Sequence, residues 1–357
     1  MVTDTIEDTR VFFSIKHISW SEYGFHTPIL LQDANGPCPL IALVNTLLLK
    51  YEFDIQQQQE SVKLAGINDL RKHLLRLETK IYLDDLLSRL GDLIVNIAET
   101  SPDCEGDAAK LLDLLPQLHT GLSVNPNLIT GKFPKDDLST VLFTSLFELN
   151  FEHGWVLDED VTVIRELEFF DKIQDFLLTN EEEVQTKEWL DANKTQVTNA
   201  GLEKLSDSLD FNNFAIYFRN NHFNTLFKSG SGDLFLLMTD SSLKSSKNII
   251  WQSLTTVSGK DDIFYTGDFF PILDEDLQEI ENQRGEVDDS DMILVKQLQE
   301  EEDQRMAEEM HKKYQNIHTK ATKKLEAQDK KSELISKSKK QQTKDSDKKK
   351  KSSCIIT

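Results

Sequence analysis

The chain has 357 residues, of which 38% are hydrophobic, and it carries 40 basic and 62 acidic side chains for a net charge of −22. That length allows one large or two ordinary domains. The acidic balance argues against a protein whose main task is wrapping nucleic acid, because phosphate binding needs clustered cations. From Ala321 onward, 12 lysines and 5 acidic residues give a net +7, which leaves −29 on the rest. The sequence therefore predicts an acidic body with a basic tail.

Three cysteines in so long a chain cannot form a disulfide framework, which indicates a reducing compartment. The N-terminus lacks the apolar core of a secretory signal, and the longest apolar run, residues 39–49, is too short to span a bilayer. We therefore expect a cytoplasmic protein. The sequence has no CxxC pair, HExxH motif, P-loop or GxGxxG fingerprint, so we expect neither a metal nor a cofactor.

Residues 9–272 have globular composition and are expected to form one domain. A β-branched and aromatic run over 11–20 predicts a strand, and the stretch 40–49 is apolar on nearly every face, which favours a buried helix. Leucine and isoleucine at helical spacing over 83–97 predict a second helix. The acidic segment 181–193 is interpreted as a helical insertion.

Later in the chain, residues 213–219, 222–227 and 234–239 are short strand-like runs. The turn-forming residues between them are typical of antiparallel hairpins. Because helices come first and strands later, the sequence predicts the α+β class. The Lys/Ser/Gln-rich segment 321–357 is predicted to be disordered, since it has too little apolar surface to bury.

Cys38, in the segment QDANGPCPL, carries the strongest chemical signal. Proline is favoured at the first helical position, so Pro39 predicts that Cys38 is the N-cap of the buried helix. Unpaired backbone N–H groups and the helix dipole favour a thiolate there. Gln32, six residues upstream across a turn, is a candidate donor to an oxyanion beside Cys38. Most cysteines are inert packing, and Cys104, which lies among carboxylates, fits that description.

A thiolate nucleophile needs a histidine partner. His222 follows an Asn-Asn turn and opens a strand-like run, whereas His153 lies in a His-Gly-Trp segment where a structural role tied to a turn is also expected. Sequence position leaves both candidates open, because catalytic partners meet in space. Asp240, which ends a strand-like run, is either the residue that orients His222 or a solvated strand-end carboxylate.

The blocks NGPCPL and FRNNHF, with GLSVN, HGWVLD and WQSL in the same order, resemble the MINDY family of deubiquitinases. The resemblance covers about residues 9–270 and implies a papain-like cysteine protease fold, with the nucleophile at the N-terminus of a helix packed on an antiparallel sheet. It implies cleavage of isopeptide bonds in polyubiquitin, preferentially lysine-48-linked. By this resemblance Cys38 is the nucleophile, His222 the general base and acid, and Gln32 the oxyanion donor. No motif secures a third triad member, so Asp240 stays a candidate.

Residues 286–316 are predicted to form an acidic helix with one narrow apolar stripe. The charged Asp291 lies on the same narrow face of the predicted helix as the apolar Leu294, Val295 and Leu298. An apolar stripe flanked by acidic residues is complementary to a hydrophobic patch flanked by basic residues, as on ubiquitin. The segment also resembles the ubiquitin-interacting MIU helix of family members. That helix has alanine where this chain has Val295. A similar spacing recurs near Met306 and Met310 and predicts a second ubiquitin contact, with a solvated acidic helix as the alternative for both segments.

The last four residues, beginning at Cys354, fit a C-a-a-X prenylation motif and follow a run of lysines over 348–351. A prenyl chain and a polybasic stretch together supply two membrane signals. Thr357 departs from the usual final residues of that motif, and an unmodified disordered tail is the alternative. We therefore predict a peripheral membrane contact through the 321–357 tail.

Two other functions fit parts of the sequence. A catalytically inactive, membrane-tethered ubiquitin-binding protein would use the cleft to bind without cutting, and a transglutaminase-like enzyme would use the thiol for acyl transfer. The complete set of Gln32, Cys38 and His222 argues against a pure receptor, which has no use for a thiolate. The ubiquitin-binding helix argues against the transglutaminase. The sequence thus favours a monomeric cysteine deubiquitinase whose partners are ubiquitin chains and not nucleic acid.

Overall fold

The computed structural model describes residues 10–20, 24–33, 38–57, 62–100, 108–180, 182–260 and 262–273. The expected acidic helix (286–316) and basic tail (321–357), and with them Cys354, lie outside the described residues. So does Cys104.

The described strands form two sheets. The smaller sheet has the order β2-β1-β3 and is antiparallel; it contains β1 (Phe12–Trp20), β2 (Gly24–Leu30) and β3 (Lys80–Tyr82). The larger sheet follows chain order and contains β4 (Asn150–His153), β5 (Asn213–Arg219), β6 (His222–Lys228), β7 (Leu234–Leu237), β8 (Trp251–Ser253) and β9 (Phe264–Tyr265). β4 runs parallel to β5, and the other neighbours are antiparallel. The hairpins predicted over 213–239 are confirmed.

The α+β class is confirmed. Of the nine described α-helices, five precede the larger sheet in the sequence and four lie between its strands β4 and β5. The helices are α1 (Cys38–Gln56), α2 (Val62–Leu77), α3 (Leu83–Thr100), α4 (Ala108–Thr120), α5 (Leu138–Thr140), α6 (Thr162–Leu167), α7 (Phe170–Thr179), α8 (Val184–Ala192) and α9 (Asn199–Ser208). α5 continues as a π-helical turn, Val141–Leu146, and a 3-10 turn, Ser241–Lys244, follows β7.

Helix α1 is the centre of the fold. Every residue from Cys38 to Leu49 is buried, as the apolar composition of this stretch predicts. The helix packs against β2 of the smaller sheet and against β5 and β6 of the larger one, so both sheets are built around it. Despite its composition, neither α1 nor any other helix in the described part of the chain is long and apolar enough to cross a membrane.

Asn45 joins α1 to the smaller sheet. Its side-chain oxygen accepts a hydrogen bond from the backbone N–H of Leu30 at 2.7 Å, and its amide donates to the carbonyl of Leu30 at 2.9 Å. The side chain thus pairs with the end of β2 as a neighbouring strand would. Because Asn45 is fully buried, both hydrogen bonds replace water that the Leu30 backbone cannot reach.

Thr225 joins α1 to the larger sheet. Its hydroxyl donates to the carbonyl of Ala42 at 3.2 Å and lies 3.0 Å from the hydroxyl of Thr46. Since the single Thr225 proton goes to Ala42, the Thr46 hydroxyl is the donor of the second bond. Small side chains on both elements allow helix and strand to approach closely.

Helix α3 and the acidic helix α8 were both expected from the sequence. The predicted stripe of α3 is confirmed, because Leu86, Leu90 and Ile97 are buried. α8 is not a loosely attached insertion, since Trp189 is buried and stacks on Trp155 with ring centroids 6.2 Å apart. The helix therefore contributes to a packed hydrophobic cluster.

Replacing Asn45 with alanine should lower the free energy of unfolding by about 2–4 kcal/mol, because the N–H and C=O of Leu30 would be left buried without partners. Asn96→Ala is the matched control, since Asn96 lies exposed on α3 and its loss should change stability little. Chemical denaturation of the two variants measures the difference. Equal stability of the two would contradict this account of Asn45.

Candidate active site

Cys38 is the first residue of α1 and only 8% exposed. The helix begins one position earlier than predicted, so Cys38 lies within it and not at the N-cap. The first turn of α1 has no acidic side chain to oppose the positive end of the helix dipole. A negative charge that develops on the thiol sulfur would therefore meet a favourable field.

His222 is the first residue of β6 and follows a two-residue turn. Asn220 and Asn221 have φ values of 51° and 62°. Positive φ at both positions is typical of a type I′ hairpin turn, and asparagine tolerates it better than most residues. The turn pairs Arg219 with His222 and thereby sets the register of the histidine on the strand.

The turn before His222 is tied to neighbouring loops. The Arg219 guanidinium donates to the carbonyl of Thr195 at 3.1 Å and to that of Val257 at 3.0 Å. In its hydrogen-bonding orientation, the Asn220 amide donates to the carbonyls of Thr195 at 2.9 Å and Lys194 at 3.2 Å. These bonds hold the hairpin, and the histidine after it, in a fixed place.

α1 packs against β6. Near their C-terminal ends, Leu49 and Phe227 belong to one hydrophobic cluster, and near their N-terminal ends, Cys38 and Phe223 belong to another. Thr225 contacts the middle of the helix, as described above. The start of the helix and the start of the strand thus both contribute residues to the same core cluster.

Cys38 and His222 each precede, in the chain, the residues that join α1 to β6. Cys38 precedes Ala42, which contacts Thr225, by four residues, or about 6 Å along the helix. His222 precedes Thr225 by three residues, or about 10 Å along the strand. That Cys38 and His222 meet in one site stays a prediction.

The surroundings of His222 keep its ring neutral. The side chain is half-buried, and desolvation lowers its pKa from 6.5 to about 4. The imidazole is therefore unprotonated at pH 7. A neutral imidazole has a free nitrogen lone pair and can accept a proton.

Gln32 follows β2 and lies six residues before Cys38. Its backbone N–H donates to the carbonyl of Thr239 at 2.7 Å, and its carbonyl accepts from the N–H of Ser241 at 2.9 Å. This parallel bridge pairs Gln32 with Asp240. The backbone of Gln32 is thus fixed to the segment after β7.

Asp240 lies next to Gln32, where its carboxylate accepts a hydrogen bond from the backbone N–H of Ser242 at 2.7 Å. The contact caps the 3-10 turn that begins at Ser241. The suggested role of Asp240 in orienting His222 stays a prediction.

His153, the rival histidine, has a structural explanation. It is 2% exposed, its Nδ1 accepts from the N–H of Trp155 at 3.2 Å, and its Nε2 lies 3.2 Å from the carbonyl of Lys132 and donates to it. Burial lowers its pKa to about 3, so the neutral ring fills both hydrogen-bonding positions. These hydrogen bonds give His153 a structural role, in which it stabilises the turn at Gly154 and Trp155.

Several sites predicted from the sequence lie beyond residue 273, the last that the structure describes. The ubiquitin-binding residues Asp291, Leu294, Val295 and Leu298, the second contact near Met306 and Met310, and the lipidation site Cys354 lie outside the described residues. Within the described ranges, no group of three or more His, Cys, Asp or Glu side chains could hold a metal ion.

Sequence reasoning missed the residues that hold the site together. Asn45 and Thr46 are polar residues inside an otherwise apolar run, and that interruption is the signal that could have found them. Thr225, next to Asn224, stands out in no such way. The link between Gln32 and the segment after β7 had no such signal, because it consists of backbone hydrogen bonds between distant parts of the chain.

Comparison with known proteins gives one consistent family. A profile described as MINDY deubiquitinase matches residues 11–269. The ubiquitin carboxyl-terminal hydrolase MIY1 of Saccharomyces cerevisiae is 31% identical over 343 residues, which cover 83% of this chain and 88% of that protein. The ubiquitin carboxyl-terminal hydrolase MINDY-1 of Bos taurus is 29% identical over 72% of this chain and 54% of its own length. MINDY-1 of Homo sapiens is 28% identical with the same coverage.

The depressed pKa of His153 makes a prediction about stability. Below pH 6.5 the unfolded chain binds a proton at this residue, whereas the folded protein does not until about pH 3. The contribution of His153 to the free energy of unfolding therefore falls as the pH drops below 6.5. Between pH 7 and pH 5 this lowers the free energy of unfolding by about 2 kcal/mol. In His153→Gln, the difference in unfolding free energy between these two pH values should be smaller by about that amount. Denaturation curves that show the same pH dependence in both proteins would contradict the burial of a neutral ring.

Proposed function

Since the chain belongs to the MINDY family of deubiquitinases, we propose that it hydrolyses isopeptide bonds in polyubiquitin, preferentially in lysine-48-linked chains, through a thioester on Cys38. The observation that supports the mechanism is that α1, which begins with Cys38, packs against β6, which begins with His222. Family membership supports the reaction class. The linkage preference rests on the resemblance of the sequence blocks.

We infer a papain-like arrangement for this domain. A buried helix that begins with a cysteine packs on a mainly antiparallel sheet, one strand of which begins with a histidine. In such an arrangement the helix N-terminus favours the thiolate, while the sheet presents the base.

In the first half of the proposed reaction, the neutral imidazole of His222 takes the proton of the Cys38 thiol. The thiolate attacks the carbonyl carbon of the C-terminal glycine of ubiquitin and forms a C–S bond, and the carbonyl π electrons move onto oxygen. The resulting oxyanion accepts hydrogen bonds from the Gln32 carboxamide and from backbone N–H groups at the start of α1. These donors act where the negative charge develops.

In the second half, the imidazolium of His222 gives its proton to the leaving lysine amine as the C–N bond breaks, which leaves a thioester on Cys38. Water then attacks the thioester carbonyl and loses a proton to His222. The tetrahedral intermediate collapses, the C–S bond breaks, and ubiquitin leaves with a free C-terminal carboxylate. Proton return from His222 to the thiolate restores the starting state.

The segments after the catalytic domain, 9–272, extend this proposal. The stripe from Asp291 to Leu298 would bind the apolar patch of one ubiquitin in a chain, with a second contact near Met306 and Met310. Prenylation of Cys354, together with the neighbouring lysines, would hold the enzyme at an anionic membrane surface. Both extensions rest on sequence pattern.

Defined-linkage diubiquitins test the proposal directly. Wild type should cleave the lysine-48-linked dimer, and Cys38→Ala and His222→Ala should remove detectable turnover, because each takes away a group that handles the reacting atoms. Gln32→Ala should lower kcat by about 10²- to 10³-fold, the usual cost of losing one oxyanion donor. Cys104→Ser is the matched control and should cleave like wild type.

Two outcomes would contradict the proposal. Cleavage by neither wild type nor Cys104→Ser would favour the alternative of a ubiquitin-binding protein without activity. Undiminished cleavage by Cys38→Ala would assign the nucleophile to another residue.

A further inference from the structure

We propose that Asp240 is a positioning residue for Gln32, because its carboxylate caps the 3-10 turn whose backbone holds Gln32, and that it does not orient the imidazole of His222. The inference rests on the proposed function, in which Gln32 donates to the oxyanion. Sequence position suggested that Asp240 orients His222. In the present proposal Asp240 and the segment after β7 instead support the oxyanion site.

The backbone of Gln32 is held on both of its hydrogen-bonding groups. The N–H donates to Thr239 at 2.7 Å, and the C=O accepts from Ser241 at 2.9 Å. Because both backbone groups are engaged, the starting direction of the Gln32 side chain is set by where residues 239–241 lie. A shift of this segment would therefore move the carboxamide.

Asp240, between the two partners of Gln32, uses its own groups to form the turn. Its carboxylate accepts from the N–H of Ser242 at 2.7 Å, and its carbonyl accepts from the N–H of Leu243 at 3.1 Å. Its backbone is extended, with φ −59° and ψ 132°, as is usual for an N-cap residue. The carboxylate thus stabilises the geometry that presents the Ser241 N–H to Gln32.

The far end of the same segment is anchored to the smaller sheet. Lys16 of β1 is buried, and its ammonium donates to the carbonyls of Leu243 at 3.1 Å and Ile249 at 3.0 Å. Gln32 follows β2, which pairs with β1. The turn is therefore held at one end by Lys16 of β1 and at the other by Gln32, which follows β2. The hydrogen bond of the Asp240 carboxylate lies at the Gln32 end of the turn.

The environment of His222 agrees with this assignment. A carboxylate hydrogen-bonded to an imidazole stabilises the charged ring and raises its pKa. Desolvation is instead the cause of the lowered pKa of His222. The Asp240 carboxylate instead accepts a hydrogen bond from a backbone N–H of its own turn.

Four variants separate the two roles through kcat on lysine-48-linked diubiquitin. Asp240→Ala, which cannot cap, should lower kcat about 10-fold with little change in KM, since a displaced donor loses part of its effect in the transition state. Asp240→Ser should recover most of that loss, because a serine hydroxyl caps a turn but is too short to replace a carboxylate on an imidazole. In the Gln32→Ala background, Asp240→Ala should cost nothing further.

Amide hydrogen exchange gives a readout that does not need activity. The N–H groups of Gln32 and Ser241 should exchange faster in Asp240→Ala than in wild type, and Asp240→Ser should restore their protection. Asp233→Ala is the matched control, because Asp233 is an exposed turn carboxylate that accepts from the Ser231 hydroxyl between β6 and β7. It should leave both kcat and the two amides unchanged.

An equal loss of kcat from Asp240→Ala with and without Gln32 would overturn the inference. So would unchanged protection of the Gln32 and Ser241 amides in Asp240→Ala. If wild type cleaves no ubiquitin chain, the proposed function fails, while the exchange rates still decide whether Asp240 holds Gln32.

Discussion

The hydroxyl of Thr225 is the contact on which the site depends most. By donating to Ala42 and accepting from Thr46, it fixes where α1 lies along β6. A helix rises about 1.5 Å per residue and a strand about 3.3 Å, so a fixed contact limits which residues of the two elements can lie near each other. Cys38 and His222 each begin one of the two elements that this contact joins.

The same principle, a buried polar contact between distant elements, recurs around the site. Asn45 pairs with the end of β2, and Lys16 holds the segment after β7. Each polar group is satisfied, so it specifies one arrangement of the core at little net cost. Gln32 lies where these links meet, between the end of β2 and the turn at Asp240.

Local sequence pattern predicted the parts of the fold that local forces determine. The buried helix α1, the stripe of α3 and the β5–β6 hairpin follow from apolar periodicity and from the Asn220-Asn221 turn. The parallel pairing of β4 with β5 and the bridge from Gln32 to Asp240 join distant segments through backbone groups, which every sequence carries alike. Periodicity therefore could not predict them. The choice between His222 and His153 needed either family resemblance or the observed burial of His153.

The central claim is that Cys38, the first residue of α1, is the nucleophile, and covalent trapping tests it most directly. Ubiquitin that carries an electrophile in place of its C-terminal carboxylate should form a one-to-one adduct, and peptide mass mapping should locate it on Cys38. The adduct should form equally in a Cys104→Ser/Cys354→Ser double variant and should be lost in Cys38→Ala. An adduct on Cys104 or Cys354, or one that persists without Cys38, would contradict the account.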